Sequence, residues 1–129
     1  MFIVDSTIYI DLLRARQDPV EALRPWIASE ELLCCGVIRC EVLRGVMNEK
    51  VRKRMHELFE SLDSVDIDDS LWDEIARLAW TLDRRGVVLP LTDLIIARCA
   101  MRVGATVISS DEHFGRIPSL AVAAAFPPP

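Results

Sequence analysis

Apolar positions open the chain as Phe2, Ile3 and Val4, a β-prone run too short for a helix, which stops at Asp5 and the hydroxyl residues Ser6 and Thr7. Helical spacing then takes over. Ile8, Leu12 and Leu13 fall on one face, which predicts a helix over 7–14 with Ser6 or Thr7 as its N-cap. Asp18-Pro19-Val20-Glu21 has the cap, proline and acid order of a capping-box start, and Pro25 should end or bend the helix it opens. Leu32, Leu33, Cys34 and Cys35 predict a second strand closed by Gly36. Val37, Ile38, Val42 and Val46 mark the next helix, with Glu41 in its opening turns. A further helix over 50–62 carries Val51, Met55, Leu58, Phe59 and Leu62, and 65–67 is a short strand. Ser70 with Asp73 marks a capped start for the stripe Leu71, Ile75, Leu78, Ala79 and Leu82, which Gly86 ends. Thr92 reads as the N-cap of a helix that begins at Asp93, buries Ile95, Ile96, Cys99, Ala100 and Val103, and stops at Gly104. Thr106, Val107 and Ile108 form a strand running into Ser109-Ser110-Asp111; 120–126 can add an edge strand, and 127–129 is a loose end.

Strands separated by helices predict βαβ units with right-handed crossovers. The fold class is therefore α/β, in three α/β/α layers about a central parallel sheet, with one domain over 1–126. With 129 residues, 51% of them hydrophobic, the chain can bury a real core. Its opening residues lack the basic and long apolar regions of a signal peptide, and no apolar run reaches bilayer length, so the expected location is cytoplasmic, off the membrane. Cys34, Cys35, Cys40 and Cys99 show neither a CxxC pair nor a Cys/His ligand spacing, which leaves buried free thiols rather than zinc or thioredoxin-like chemistry. A net charge of −5 argues against a protein that coats nucleic acid. Lys50, Arg52, Lys53 and Arg54 form one basic cluster, read as a solvated helix face or a phosphate contact.

Four acids share one structural description. Asp5 and Asp111 each follow an apolar strand, while Glu41 and Asp93 lie in the opening turns of helices. In a parallel sheet with helical crossovers, strand carboxyl ends and most helix N-termini lie on one edge, where open α/β sheets place their ligands. Carboxylates brought together there raise one another's pKa unless a cation compensates. Oxygen-only ligands suit Mg²⁺ or Mn²⁺, and a metal-activated water attacking a phosphodiester is the chemistry that follows.

These residues fall into four segments: Val4-Asp5-Ser6-Thr7, Glu41-Val42-Leu43-Arg44-Gly45, Thr92-Asp93-Leu94-Ile95-Ile96-Ala97 and Ser109-Ser110-Asp111-Glu112-His113-Phe114. In that order and at those separations the chain resembles the PIN-domain family, and within it the small VapC-type toxin ribonucleases of toxin–antitoxin pairs. The resemblance implies a metal-dependent endoribonuclease acting on RNA, with its acidic, metal-holding site at Asp5, Glu41, Asp93 and Asp111 and supporting hydroxyls at Thr7 and Ser109. It also implies a homodimer and an antitoxin whose tail blocks the site. Asp11 is left out of the set, and Glu112 is an alternative ligand beside Asp111. Arg14, Arg44 and Arg98 either frame the pocket or form surface salt bridges. His113 and His56 are not needed for metal, and His113 reads as a loop or packing residue. Trp26, Trp72 and Trp80 read as core or partner-facing aromatics. A haloacid-dehalogenase-type phosphatase would need an acid where Thr7 stands, and a receiver domain a lysine late in the sheet, where none follows Lys53. The remaining alternative is a PIN-like module that binds RNA or a partner without cutting.

Overall fold

The computed structural model describes residues 1–128; Pro129, the end of the expected loose tail, lies outside them. The chain runs β1 (Phe2–Val4), α1 (Ser6–Arg14), α2 (Pro19–Ala22), α3 (Arg24–Ala28), β2 (Leu32–Cys34), α4 (Gly36–Gly45) and α5 (Glu49–Ser61). It continues through β3 (Asp63–Ser64), α6 (Asp69–Arg84), α7 (Leu91–Val103), β4 (Thr106–Ile108), a 3₁₀ turn (Glu112–Arg116) and β5 (Val122–Ala123). All pairings are parallel and the sheet order is β3-β2-β1-β4-β5, so the opening strand is the middle one. Phe2 sits opposite Leu32 on one side and Thr106 on the other.

The apolar run at β1 is unbroken because both of its faces are covered. Successive strand residues point to opposite faces, yet Ile3 and Val4 are both buried, as are Val107 and Ile108 in β4. Helices therefore lie on each side of the sheet in three α/β/α layers. Each such side chain stabilises the fold by about 1.5–3 kcal/mol relative to its exposed state. Ion pairs tie α6 to α7: Arg102 reaches Asp68 at 2.8 Å and Glu74 at 3.3 Å, and Arg98 reaches Glu74 at 3.0 Å. Gly104 ends α7 with φ +67°, a left-handed conformation that costs glycine nothing.

Boundaries moved where several capping residues compete. Asp5, not Ser6 or Thr7, occupies the N-cap of α1. Asp68 caps α6 by accepting from the Leu71 amide at 2.8 Å, two residues before Ser70. Pro90 precedes α7, so Asp93 is its third residue rather than its first. Asn48 caps α5 through the Lys50 and Val51 amides. Asp18 accepts from the Val20 amide at 3.0 Å, but Glu21 turns outward to Arg24, so the capping box does not close. The chain breaks already at Leu23, and Pro25 lies in the first turn of α3. Gly36 starts α4 instead of closing β2. The third strand is the polar pair Asp63–Ser64, since Val65 is used as a buried core residue beyond it.

Two packing expectations also changed. Ile8, Leu12 and Leu13 are only half-buried; the residue α1 buries completely is Tyr9, whose ring meets Phe59 of α5 edge-on at 5.3 Å. Phe126 anchors the end of the chain by stacking on Trp26 at 4.0 Å and meeting Phe2 edge-on. Among the described residues the Tyr9 hydroxyl has no hydrogen-bond partner, and burial pushes its pKa up. An unpaired buried hydroxyl carries a desolvation cost, so Tyr9→Phe should raise unfolding free energy by about 1 kcal/mol in a urea titration with unchanged slope. A loss of stability instead would mean that the hydroxyl is satisfied in solution.

Candidate active site

Asp5 sits at the carboxyl end of β1 with its amide bonded to the Ile108 carbonyl of β4 at 2.9 Å, and it is 2% exposed. Its Oδ2 accepts from the Thr7 hydroxyl at 2.7 Å and the Ser109 hydroxyl at 2.8 Å. Among the described residues its Oδ1 has only a long contact of 3.5 Å with Ser6. One carboxylate oxygen is therefore locked by both predicted hydroxyls, and the other is left for a ligand. Ser109 in turn accepts from the Asp111 amide at 2.9 Å, which links the ends of β1 and β4 in one hydrogen-bonded unit.

Glu41 and Asp93 come within reach of the Asp5 charge from separate elements, and Asp111 within reach of Asp93. Glu41 comes from the second turn of α4; burial raises its pKa, and the charges of Asp5 and Asp93 add to the rise. Burial likewise raises Asp93, opposed by a bond from His113 and reinforced by Asp111 and Asp5. Asp111 caps the 3₁₀ turn by accepting from the His113 amide at 2.9 Å. Each of the four acids thus acts on at least one other. Both Glu41 and Asp93 therefore hold their protons more readily than an ordinary carboxylate, through burial first and their neighbours' charges second. The donor set suits a hard divalent metal, and the four acids are the candidates to hold it.

His113 is where the sequence reading fails. Its Nδ1 lies 3.0 Å from Asp93 Oδ2 and 3.3 Å from Asp111 Oδ1, inside the acid group rather than in a loop or the core. Ser6 is a second residue that was missed: it is buried between Asp5 and Glu41, and its hydroxyl favours the charged form of Glu41. A serine beside an N-terminal acid reads as a cap, so only the fold separates the two roles. Of the three arginines weighed for the pocket, Arg44 influences Glu41, whereas Arg98 is committed to Glu74 and Arg14 lines a different cavity. Glu112 is exposed beside Asp111, and Asp11 is exposed on α1.

Apolar surface is left elsewhere. A groove of about 690 Å³, lined by Ile10, Leu13, Val42, Val46, Val51 and Met55 among others, lies at the far ends of α1 and α4 from the acids. Trp72 and Trp80 on α6, with Val88 and Leu91 after it, are exposed, and the Arg84 guanidinium lies 5.1 Å from the Trp80 ring centre. The stripe on α5, by contrast, serves the chain's own core through Met55, Leu58 and Phe59. Of the four cysteines, all free, Cys40 is exposed, contrary to the expectation that every thiol is buried. Arg54 of the basic cluster pairs with Asp18.

The hydroxyl support should be measurable in the RNA cleavage that the resemblance implies. Ser109→Ala removes a bond to Asp5 and a bond from the Asp111 amide, whereas Thr7→Val removes only the first kind. The expected losses fall within about 10–100-fold, Ser109→Ala the larger, with metal affinity falling in parallel. Equal wild-type rates in both variants would show that Asp5 needs no such support.

The PIN domain family model matches residues 2–120. VapC ribonuclease Mb1587 of Mycobacterium bovis and Ribonuclease VapC11 of Mycobacterium tuberculosis are each 28% identical over 121 residues, covering 88% of this chain and 89% of theirs. Among solved structures, VapBC2 from Rickettsia felis, bound to a DNA fragment from its promoter, aligns at TM-score 0.76 and 18% identity over 95% of this chain and 96% of that one. Strand order, an acid at the end of the central strand and a family match along nearly the whole length agree: the chain belongs to the PIN domain family.

Proposed function

We propose that this chain is a divalent-metal-dependent endoribonuclease, the toxin of a toxin–antitoxin pair, built as a single nuclease domain over 1–126. The observation that carries the reading is the convergence of Asp5, Glu41, Asp93 and Asp111 from four elements, with Glu41 and Asp93 held against ionisation by burial and by their neighbours' charges. The names of the relatives supply the class of substrate, RNA, and the VapBC neighbours the class of partner, an antitoxin. Unpartnered apolar surface at the α1–α4–α5 groove and on α6 suits association with an antitoxin and a second copy. Among the described residues no helix is long and apolar enough to cross a membrane, and the reading places the protein in the cytoplasm.

In this reading, Asp5, Glu41, Asp93 and Asp111 would hold Mg²⁺ or Mn²⁺. When bound, the cation supplies Lewis acidity at the phosphodiester and lowers the pKa of the attacking water. The protein's part is positional. Thr7 and Ser109 fix the rotamer of Asp5, and the Asp111 amide ties β4 to the same point. The test is cleavage of single-stranded RNA by the purified chain with and without Mg²⁺ or Mn²⁺. A protein that binds RNA without cutting a broad panel, with either ion present, would favour the silent binding module.

A further inference from the structure

We infer that His113 is a direct nitrogen ligand of the metal site, which makes the site a mixed nitrogen–oxygen one that favours Mn²⁺ over Mg²⁺. The inference rests on the metal-site reading above and goes beyond the four acids. His113 Nδ1, Asp93 Oδ2 and Asp111 Oδ1 form a group of candidate ligand atoms all within 4.8 Å of one another. The two nitrogen–oxygen distances, 3.0 and 3.3 Å, are those of the ring's hydrogen bonding to the acids, and they also equal the spacing of neighbouring ligands on one small ion once Nδ1 has given up its proton, since ligands about 2.1 Å from an octahedral centre lie about 3 Å apart at right angles. The ring is also held in place. Its own amide bonds to Asp111, and the next residue, Phe114, is fully buried and anchors the 3₁₀ turn. With its side chain 44% exposed, the imidazole borders both the acids and solvent, as a ligand at an accessible metal site must.

An imidazole changes the selectivity of an otherwise carboxylate site. Mg²⁺ prefers oxygen and parts reluctantly with water, whereas affinity for nitrogen donors rises along the transition series that begins with Mn²⁺. The four acids alone attract either ion by charge. Adding His113 biases the set toward Mn²⁺.

His56, the chain's other histidine, is on α5 beside Arg39 and Glu60, outside the site, so a histidine signal can be assigned. Pulsed electron paramagnetic resonance on the Mn²⁺-loaded full chain, with and without isotope-labelled histidine, should detect hyperfine coupling to a directly bound imidazole nitrogen. The coupling should persist in His56→Asn and vanish in His113→Asn. Calorimetry with Mn²⁺ or Mg²⁺ alone should show the preference for Mn²⁺ reduced at least about tenfold in His113→Asn. If His113→Asn does not fold, the wild-type and His56→Asn spectra still decide the matter. Absence of nitrogen coupling in wild type, or equal weakening of both ions in His113→Asn, overturns the ligand role and leaves the nuclease reading standing, because that outcome has His113 only clamping the two acids. If wild type binds neither ion, the ligand role and the metal-site reading fall together.

Discussion

Asp5→Asn is expected to lower metal-dependent RNA cleavage by about 10²–10³-fold while leaving the fold intact. Asp5 is the acid whose surroundings are most fully determined. It lies at the end of the central strand, its amide is used by β4, and Oδ2 is saturated by two hydroxyls. With its carbonyl oxygen in the place of Oδ2, the new side chain keeps an acceptor for both hydroxyls, so packing changes little. What is lost is a negative charge aimed at the site. That same loss relieves the repulsion felt by Glu41 and Asp93, so the metal-free melting temperature should stay level or rise. Cleavage and melting are measured on one preparation. Wild-type cleavage by Asp5→Asn would sink the assignment of the site, whereas lost cleavage together with a large fall in melting temperature would mean that the charge is structural.

Legibility in the sequence followed burial. β1 and β4 were readable because strands covered on both faces carry unbroken apolar runs, and helices were readable where one face alone is buried. β3 was misplaced because an edge strand of two residues, Asp63 and Ser64, carries no apolar signal at all. Helix starts slipped by one or two residues wherever Asp, Ser and Thr stand together, since any of them can cap and only tertiary contacts choose. At Asp5-Ser6-Thr7 both hydroxyls were drawn to the carboxylate of Asp5 and so were lost to capping. The four acids could be singled out from the sequence because each follows a local rule about strand ends or helix starts. His113 follows none. Its place in the site depends on α7 bringing Asp93 up to the turn after β4, twenty residues away in sequence.

Metal should act on stability as strongly as on activity, and in a pH-dependent way. The folded-state pKa values of Glu41 and Asp93 are raised, so between the ordinary carboxylate value and the raised one the folded protein holds more protons than the unfolded chain. Stability of the metal-free protein is therefore greatest below that window and falls as pH rises through it. Asp18, Glu21, Glu60, Asp68 and Glu74 are shifted the opposite way by arginine partners, but these are exposed pairs that contribute little. A cation binds the charged form of the site, so its effect appears where the acids are ionised. At a hundredfold excess over its dissociation constant it adds about 2.7 kcal/mol, or about 10 °C in melting temperature for a domain of this size. Melting curves across the carboxylate range and up to neutral pH, with chelator or with Mn²⁺, should diverge as pH rises. Asp111→Asn should blunt the divergence by weakening the site, and Glu41→Gln should flatten the metal-free decline by removing one of its two sources. If the wild-type curves with chelator and with Mn²⁺ coincide at neutral pH, the acids do not form a metal site, and their convergence must then be explained by a partner that brings its own positive charge.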